Sequence, residues 1–435
     1  MASKRPTSVT IRSYQVGFGD CFLLSFHYGE KEGAEARHVL IDFGSTGKPP
    51  KSGLSMKEIA SLIREACTPA GGGKPKLHAV VATHRHADHI SGFGGTSGEI
   101  IAGLQPDLVL QPWTEDPDAA PDAREPTAAA ASAKGFVARL DDMHAVSTHV
   151  LAEVATLRGL KTVSAQLGFL GEDNLKNLDA IRTLQDMPCR HVYASYGVRS
   201  GLEKVLPGVR VRVLGPPTLK QSAAIQKQRE EDAAEFWHLQ AQAVRPPAGD
   251  GAVAGPLFPG AAQASSEDLP FQTRWFLPRL DALRGEQLLE IVRILDTAMN
   301  NTSLILLFEV GKKKLLFPGD AQIENWLYAL TAAKDSGKVQ KLLAEVDVYK
   351  VGHHGSLNAT PKTLWNLFRK KSETAGSGRL QSLLSTMSGK HGSTDRNTEV
   401  PRRKLVDALE KETTLHSTQK LTRKSQPCNE VRIPV

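Results

Sequence analysis

The stretch Leu77-His78-Ala79-Val80-Val81-Ala82-Thr83-His84-Arg85-His86-Ala87-Asp88-His89-Ile90-Ser91-Gly92 decides how the rest of the chain is read. Its first half is a short apolar run, the pattern of a buried strand, and predicts a strand over 77–83. Its second half carries three His and one Asp within six positions. Residues sharing a helix face are three or four positions apart, so one helix face cannot hold all four. On a loop at a strand end they can converge. Imidazole and carboxylate together suit zinc, manganese or iron. His84 and His86 alone could hold one ion. Asp88 and His89 would then be free for a second, at the ~3.5–4 Å separation of two-metal sites. Further donors stand after apolar runs: Asp320 follows Leu315-Leu316-Phe317-Pro318-Gly319, and His353 and His354 follow Val348-Tyr349-Lys350-Val351-Gly352.

Working outward, residues 8–14 and 21–27 alternate like half-buried strands, joined by the glycine turn Val16-Gly17-Phe18-Gly19-Asp20. Residues 38–41 form a third strand ending in Asp42-Phe43-Gly44-Ser45, and 56–66 have helical periodicity. Strands are expected at 107–113, 191–196, 208–214 and 345–351, and a hairpin at 303–318 turns on Gly-Lys. Helices are expected at about 136–160, 175–186 and 402–410, and a last strand at 430–435. Residues 116–135 are rich in Ala, Pro and Asp, and 244–266 in Pro, Gly and Ala. They mark two insertions, a helical one over 116–186 and a second over 218–290. No repeat is visible in the sequence. Strands interleaved with helices in two sets predict an α/β sandwich, one domain over 1–435.

The chain has 435 residues and a formal net charge of +7. Residues 350–435 hold sixteen Lys and Arg against seven Asp and Glu, so this last fifth is +9 and the remainder −2. The longest aliphatic and aromatic run, Leu304 to Phe308, is far short of the ~20 residues of a membrane span. The N-terminal stretch lacks an apolar h-region, so no secretory signal is expected. Four scattered cysteines without CxxC spacing exclude a disulfide framework and fit reduced thiols. A cytoplasmic location is the expectation.

The string His84-Arg85-His86-Ala87-Asp88-His89 resembles the HxHxDH signature of the metallo-β-lactamase fold. Asp42-Phe43-Gly44-Ser45, Phe317-Pro318-Gly319-Asp320-Ala321 and Val351-Gly352-His353-His354-Gly355-Ser356 resemble that fold's other site motifs, in the same order. VGFGDCFLL (16–24), NNTSLILLFEVGKKKLLFPGD (300–320) and YKVGHHGS (349–356) are similar to the hydrolase domain of ComEC-type competence proteins. Ser385 to Gly392 resembles that group's Ser-rich tail motif more loosely. The resemblance implies an αββα metallo-β-lactamase sandwich with two insertions and two divalent ions, zinc or manganese. It gives one ion His84 and His86, and the other Asp88, His89 and His353. Asp320 would bridge them, and Asp42 would orient the ligands. Most dinuclear members supply a third His to the first ion from a strand that here ends Leu214-Gly215-Pro216-Pro217. His144, His149 and His191 are possible substitutes.

Two such ions lower the pKa of a bound water and neutralise charge on the substrate. Asp88 would hold and deprotonate that water. His354, Lys350, Lys390 and His391 are candidate donors to substrate, and Ser356 would hold the His loop. Lys350 could instead face solvent. The expected function is a metal-dependent hydrolase, a phosphodiesterase or nuclease using a hydroxide that bridges the ions. The basic last fifth would contact a nucleic-acid backbone. The alternatives are a small-molecule ester, lactone or phosphocholine-type hydrolase, and a non-catalytic binding protein with a vestigial site.

Overall fold

A computed structural model describes residues 5–29, 35–47, 53–117, 177–222, 300–356, 360–376, 378–390, 399–421 and 424–435. Among the described residues, thirteen strands form two mixed sheets in an α/β fold. The first sheet holds β1 (Ser8–Tyr14), β2 (Cys21–His27), β3 (Ala36–Phe43), β4 (Ala79–Val81), β5 (Leu108–Pro112), β6 (Arg190–Ala194) and, beside β1, β13 (Cys428–Pro434). The second holds β7 (Val209–Gly215), β8 (Ile305–Val310), β9 (Lys313–Phe317), β10 (Val348–Lys350), β11 (Gln381–Leu384) and β12 (Thr414–Ser417).

Most strands are buried on both faces and read as continuous apolar runs. The period-2 geometry of a strand still sorts their side chains. Leu304, Leu306 and Phe308 join Val9, Ile11, Phe22 and Leu24 in a core between the sheets. Ile305 and Leu307 point the other way, into a core that includes Trp326, Leu343 and Leu409 of the helices Ile323–Leu327, Ser336–Ala344 and Arg403–Glu412. The outer face of the first sheet is covered by the helices Met56–Ala66, Gly95–Ala102 and Leu178–Asp186. The first of these is bounded by a capping box, with Ser55 Oγ accepting from Glu58 N and the Glu58 carboxylate from Ser55 N.

Each sheet repeats one connection pattern. β1, β2 and β3 are antiparallel neighbours, and β4, β5 and β6 continue parallel to β3. β7, β8 and β9 are likewise antiparallel, and β10, β11 and β12 continue parallel to β9. The chain therefore has a structural repeat that its sequence conceals. It places equivalent loops, after β3 and β4 and after β9 and β10, at the carboxyl ends of the parallel strands, where open α/β sheets bind ligands.

The expected elements hold closely for 8–14, 21–27 and 56–66. β11 and β12 were not anticipated: at four residues of mixed polarity, QSLL and TLHS, they carry too little periodicity. Helix Leu178–Asp186, at the end of the region read as an insertion, buries Ala180, Ile181 and Leu184 in the helical layer and so belongs to the fold. The remainder of the first insertion, with the expected helix 136–160, His144 and His149, lies outside the described residues, as does 223–290 of the second. Among the described residues no helix is long and apolar enough to cross a membrane.

At the far end of the first sheet, the backbone N–H of His38 donates to His78 Nδ1 at 3.1 Å, and Ser25 Oγ lies 2.9 Å from His38 Nδ1. Burial lowers His38 to about 3 and His78 to about 4, each further depressed by cationic neighbours. Both are neutral in the fold, whereas in the unfolded chain they take protons near pH 6.5. Their contribution to stability is complete above pH 6.5 and lost as pH falls toward 4 and 3. His38 alone accounts for a loss on the order of 3 kcal/mol at pH 4. Urea midpoints measured across this window should fall less steeply for His78→Asn, which keeps an acceptor but removes one titration. An unchanged slope would remove the pair from the acid response.

Candidate metal centre

Two glycine-dependent close approaches assemble the site. A Cβ on Gly44 would lie 2.4 Å from both Ala87 O and His89 N, so only glycine lets the loop after β3 lie against the short helix Ala87–Ile90. Gly19, at φ +157°, is as confined: a Cβ there would lie 2.2 Å from Gly44 O. The loops are tied by Asp20 N donating to Asp88 O (2.8 Å) and Gly44 N to Asp20 O (3.0 Å). His84, Asp88, His89, Asp320 and His354 then meet at the strand ends.

Two donor groups result. Asp88, His89, Asp320 and His354 form one, with ligand atoms within 4.8 Å of one another. Asp320 Oδ2 is 3.1 Å from His89 Nε2 and 3.7 Å from His354 Nε2, and Asp88 Oδ2 is 2.8 Å from His354 Nε2. His84, His86 and Asp88 form the other, with His84 Nε2 and His86 Nδ1 3.0 Å apart. A third set, Asp20, Asp42 and His89, lies beneath.

The far sides of the rings are anchored. His89 Nδ1 donates to Asp42 Oδ2 at 2.8 Å. His354 Nδ1 donates to Ser385 O at 3.0 Å, since a carbonyl can only accept. Thr83 Oγ1 donates to Asp42 Oδ2 at 2.7 Å and so accepts from His84 Nδ1 at 3.2 Å. Asp42, left-handed at φ 55°, also accepts from Thr83 N at 2.7 Å. All three imidazoles are anchored through Nδ1 and turn Nε2 into the site, the nitrogen an ion would take in place of a proton, as in anchored metal-binding histidines. His89 Nε2 and Asp320 Oδ2 are buried and meet as an ion pair 3.1 Å apart, outside hydrogen-bond geometry, and an ion between them would satisfy both. These residues fit divalent ions: two His and two carboxylates make a complete four-donor set, and two His with the shared Asp88 make a poorer one.

The carboxylates and imidazoles of the site offset one another. His89 is raised well above its usual range by Asp320, Asp42, Asp88 and Asp20, against the opposing effect of burial. His354 is raised for the same reason by Asp320, Asp20 and Asp88. Asp320 and Asp88 are held well below the carboxylate range, Asp320 by His89 and Lys350 and Asp88 by His89 and His354. His84 is lowered by burial and by the rings of His89 and His86, so it stays neutral.

The expectation for the histidine pair is corrected. His354 reaches the four-donor group and His353 does not. Both are left-handed, at φ 50° and 41°, and that turn directs consecutive side chains apart. His353 Nδ1 lies 2.9 Å from Ser356 Oγ, while its backbone N–H donates to Asp320 Oδ1 at 2.9 Å. The His354 ring instead packs tilted against Phe18, ring centroids 4.3 Å apart. Lys350, expected as a substrate donor or a solvent-facing side chain, is 1% exposed. Its Nζ donates to Gly319 O (3.0 Å) and Asp320 Oδ1 (3.1 Å) and is ion-paired with Asp20. It lies under the site and holds one oxygen of Asp320, leaving Oδ2 facing the donors.

Asp20 was not anticipated as a functional residue; the available signal was an acid directly ahead of a wholly buried strand. His191 sits at the start of β6 with Nε2 donating to Met187 O at 3.0 Å, and is in none of the donor groups. Lys390 runs past the loop after β3, with Cε 3.4 Å from where a Gly47 Cβ would be, and His391 lies outside the described residues. Much of the basic last fifth is engaged elsewhere. Arg369, Lys370, Lys371, Arg402, Lys411 and Lys420 pair with Glu345, Asp347, Glu412, Glu399, Glu373 and Glu410 respectively. Compared with protein-family models and with curated proteins, the chain matches none.

Proposed function

We propose that the protein is a metal-dependent hydrolase of the metallo-β-lactamase fold, akin to the hydrolase domain of ComEC-type competence proteins, that cleaves phosphodiesters of nucleic acid. The observation carrying this reading is the inward convergence of His84, His89, His354, Asp88 and Asp320 with the opposite ring nitrogens anchored. His89 Nε2 and Asp320 Oδ2 meet only as an ion pair outside hydrogen-bond geometry, an arrangement that an ion would complete. Divalent ions, zinc or manganese, would be held by Asp88, His89, Asp320 and His354 and, in the second place, by His84 and His86. When bound they polarise the substrate and lower the pKa of water.

The chain's own residues supply position and charge. Asp42 orients His89 directly and His84 through Thr83. Ser385 orients His354, and Lys350 fixes Asp320. Asp88 reaches both donor groups and is positioned to take a proton from a nucleophile held between them. Asp20 and Asp320 flank the ammonium of Lys350, while Asp42 pairs with His89 and Asp88 with His354. Two divalent ions held there would attract the charged oxygens of a phosphodiester more strongly than the neutral carbonyl of a lactone.

Metal analysis of the purified chain, followed by rates on single-stranded DNA, double-stranded DNA, bis(p-nitrophenyl) phosphate and a lactone, tests the reading. Bound zinc or manganese with phosphodiester cleavage is the expected result. Lactone turnover with no phosphodiester cleavage would overturn the substrate assignment, and absence of bound metal would overturn the hydrolase.

A further inference from the structure

A concavity of about 990 Å³ lies along β7, the edge strand of the second sheet, bordered by the connection from β6, the β8–β9 turn and the helix Ser336–Ala344. Arg5, Arg190, Arg199, Lys204, Arg210 and Lys338 line it. All six are exposed, and none is ion-paired with a described residue. The acids of the same wall are engaged: Glu309 with Arg212 (2.6 Å), Asp335 with the Tyr196 hydroxyl (2.6 Å) and Glu203 with Ser200 Oγ (3.2 Å). Charged side chains on edge strands also deter strand pairing between molecules. That role does not require cations from both sheets to face one hollow, nor a preference for arginine over lysine. The guanidinium is the side chain whose planar fork matches phosphate.

The cations of the concavity suit the backbone of a polyanion. Most donors of the metal centre are buried, where a flexible single strand can reach and a stiff duplex cannot. The upper end of the concavity, at Tyr196 and Leu214, lies at the carboxyl ends of β6 and β7, the end of the sheets that carries the metal centre. β6 is two strands from β4 and β7 two strands from β9, which places the site roughly 10 Å away at ~4.8 Å per strand. No exposed aromatic side chain lines the concavity to stack a base.

We infer that the channel along β7 and the connection from β6 binds the backbone of single-stranded nucleic acid without regard to sequence and leads it to the metal centre. Its role as a feed path rests on the hydrolase reading, but binding itself does not. Binding is therefore measured on the metal-depleted full chain, by fluorescence anisotropy of a labelled single-stranded oligothymidylate over a salt series. The unlabelled duplex and a poly-glutamate peptide serve as competitors. For Arg190→Ala/Arg199→Ala/Arg210→Ala, affinity at low salt should fall at least about tenfold. The slope of log affinity against log salt should flatten by about 2, at ~0.7 per phosphate contact on a single strand. A thermal midpoint matching the parent chain shows that the variant is folded. Unchanged affinity in the folded variant would overturn the inference. So would stronger competition by the duplex, or by poly-glutamate, which would mark an acidic-peptide site. A chain that binds the oligonucleotide through this channel yet hydrolyses nothing would refute the hydrolase and leave the channel standing.

Discussion

His354→Asn lowers the affinity of the four-donor site for zinc or cobalt by more than ~100-fold, while His353→Asn leaves it within about tenfold of the parent. Even partners that only orient a ligand cost 10–100-fold on removal, so loss of a ligand nitrogen exceeds that range. The two positions are adjacent, equally histidine and both left-handed. Only His354 Nε2 faces Asp88 and Asp320, while its Nδ1 is tied to Ser385 O. His353 contributes a backbone N–H to Asp320 Oδ1, which any residue there supplies. Asparagine is the substitution of choice because it tolerates a positive φ, so the turn survives in both variants. Its amide is shorter and a poor ligand for zinc. Calorimetric titration of the metal-depleted variants reads the difference directly. If His353→Asn were the variant that lost the ion, the assignment of the pair would be reversed.

That pair shows where sequence reading stops. Four of the donors, His84, His86, Asp88 and His89, are legible because one short loop carries them, and local spacing excludes a single helix face. Asp320 is legible from its place after a clear apolar hairpin. The choice between His353 and His354 is not, because it depends on a backbone turn with no residue signature: neither position is glycine. The fold divides in the same way. β1, β2 and helix Met56–Ala66 declare themselves by alternation and by 3.6-residue periodicity. β11 and β12 are short and take their place from parallel neighbours. The repeated topology of the two sheets is invisible because it is conserved in strand order and direction, while the residues filling each strand differ. Charge misleads for a related reason. A count along the chain places the excess in the last fifth, but its side chains pair with Glu345 and Asp347 outside that segment as well as with acids inside it. The unpaired arginines instead gather from β6, β7 and the loop between them.

Lys350→Met is expected to destabilise the fold by ~3–5 kcal/mol, the cost of leaving a buried charge without its partner. Lys350 Nζ sits between Asp20 and Asp320, and all three residues are essentially inaccessible to solvent. The two carboxylates raise the ammonium's pKa despite its burial, Asp20 foremost, so Lys350 is charged at every physiological pH. Methionine matches the length of the lysine stem and removes only the charge and its hydrogen bonds to Gly319 O and Asp320 Oδ1. Adding Asp20→Asn removes the abandoned carboxylate, so the double variant should recover more than half of the loss. Recovery separates an ion-pair effect from damage to packing, which a second substitution would not repair. The double variant also isolates the effect on the site. With Nζ gone, Asp320 Oδ1 keeps the His353 N–H but is otherwise released to share an ion with Oδ2. The visible spectrum of the cobalt-loaded protein should then shift toward higher coordination and lose intensity, at unchanged cobalt content. Urea unfolding and cobalt absorption on the same preparations supply both readouts. A single variant within 1 kcal/mol of the parent would show that the ion pair does not stabilise the fold. A double variant with the parent's cobalt spectrum would show that Lys350 does not set how Asp320 meets the ion.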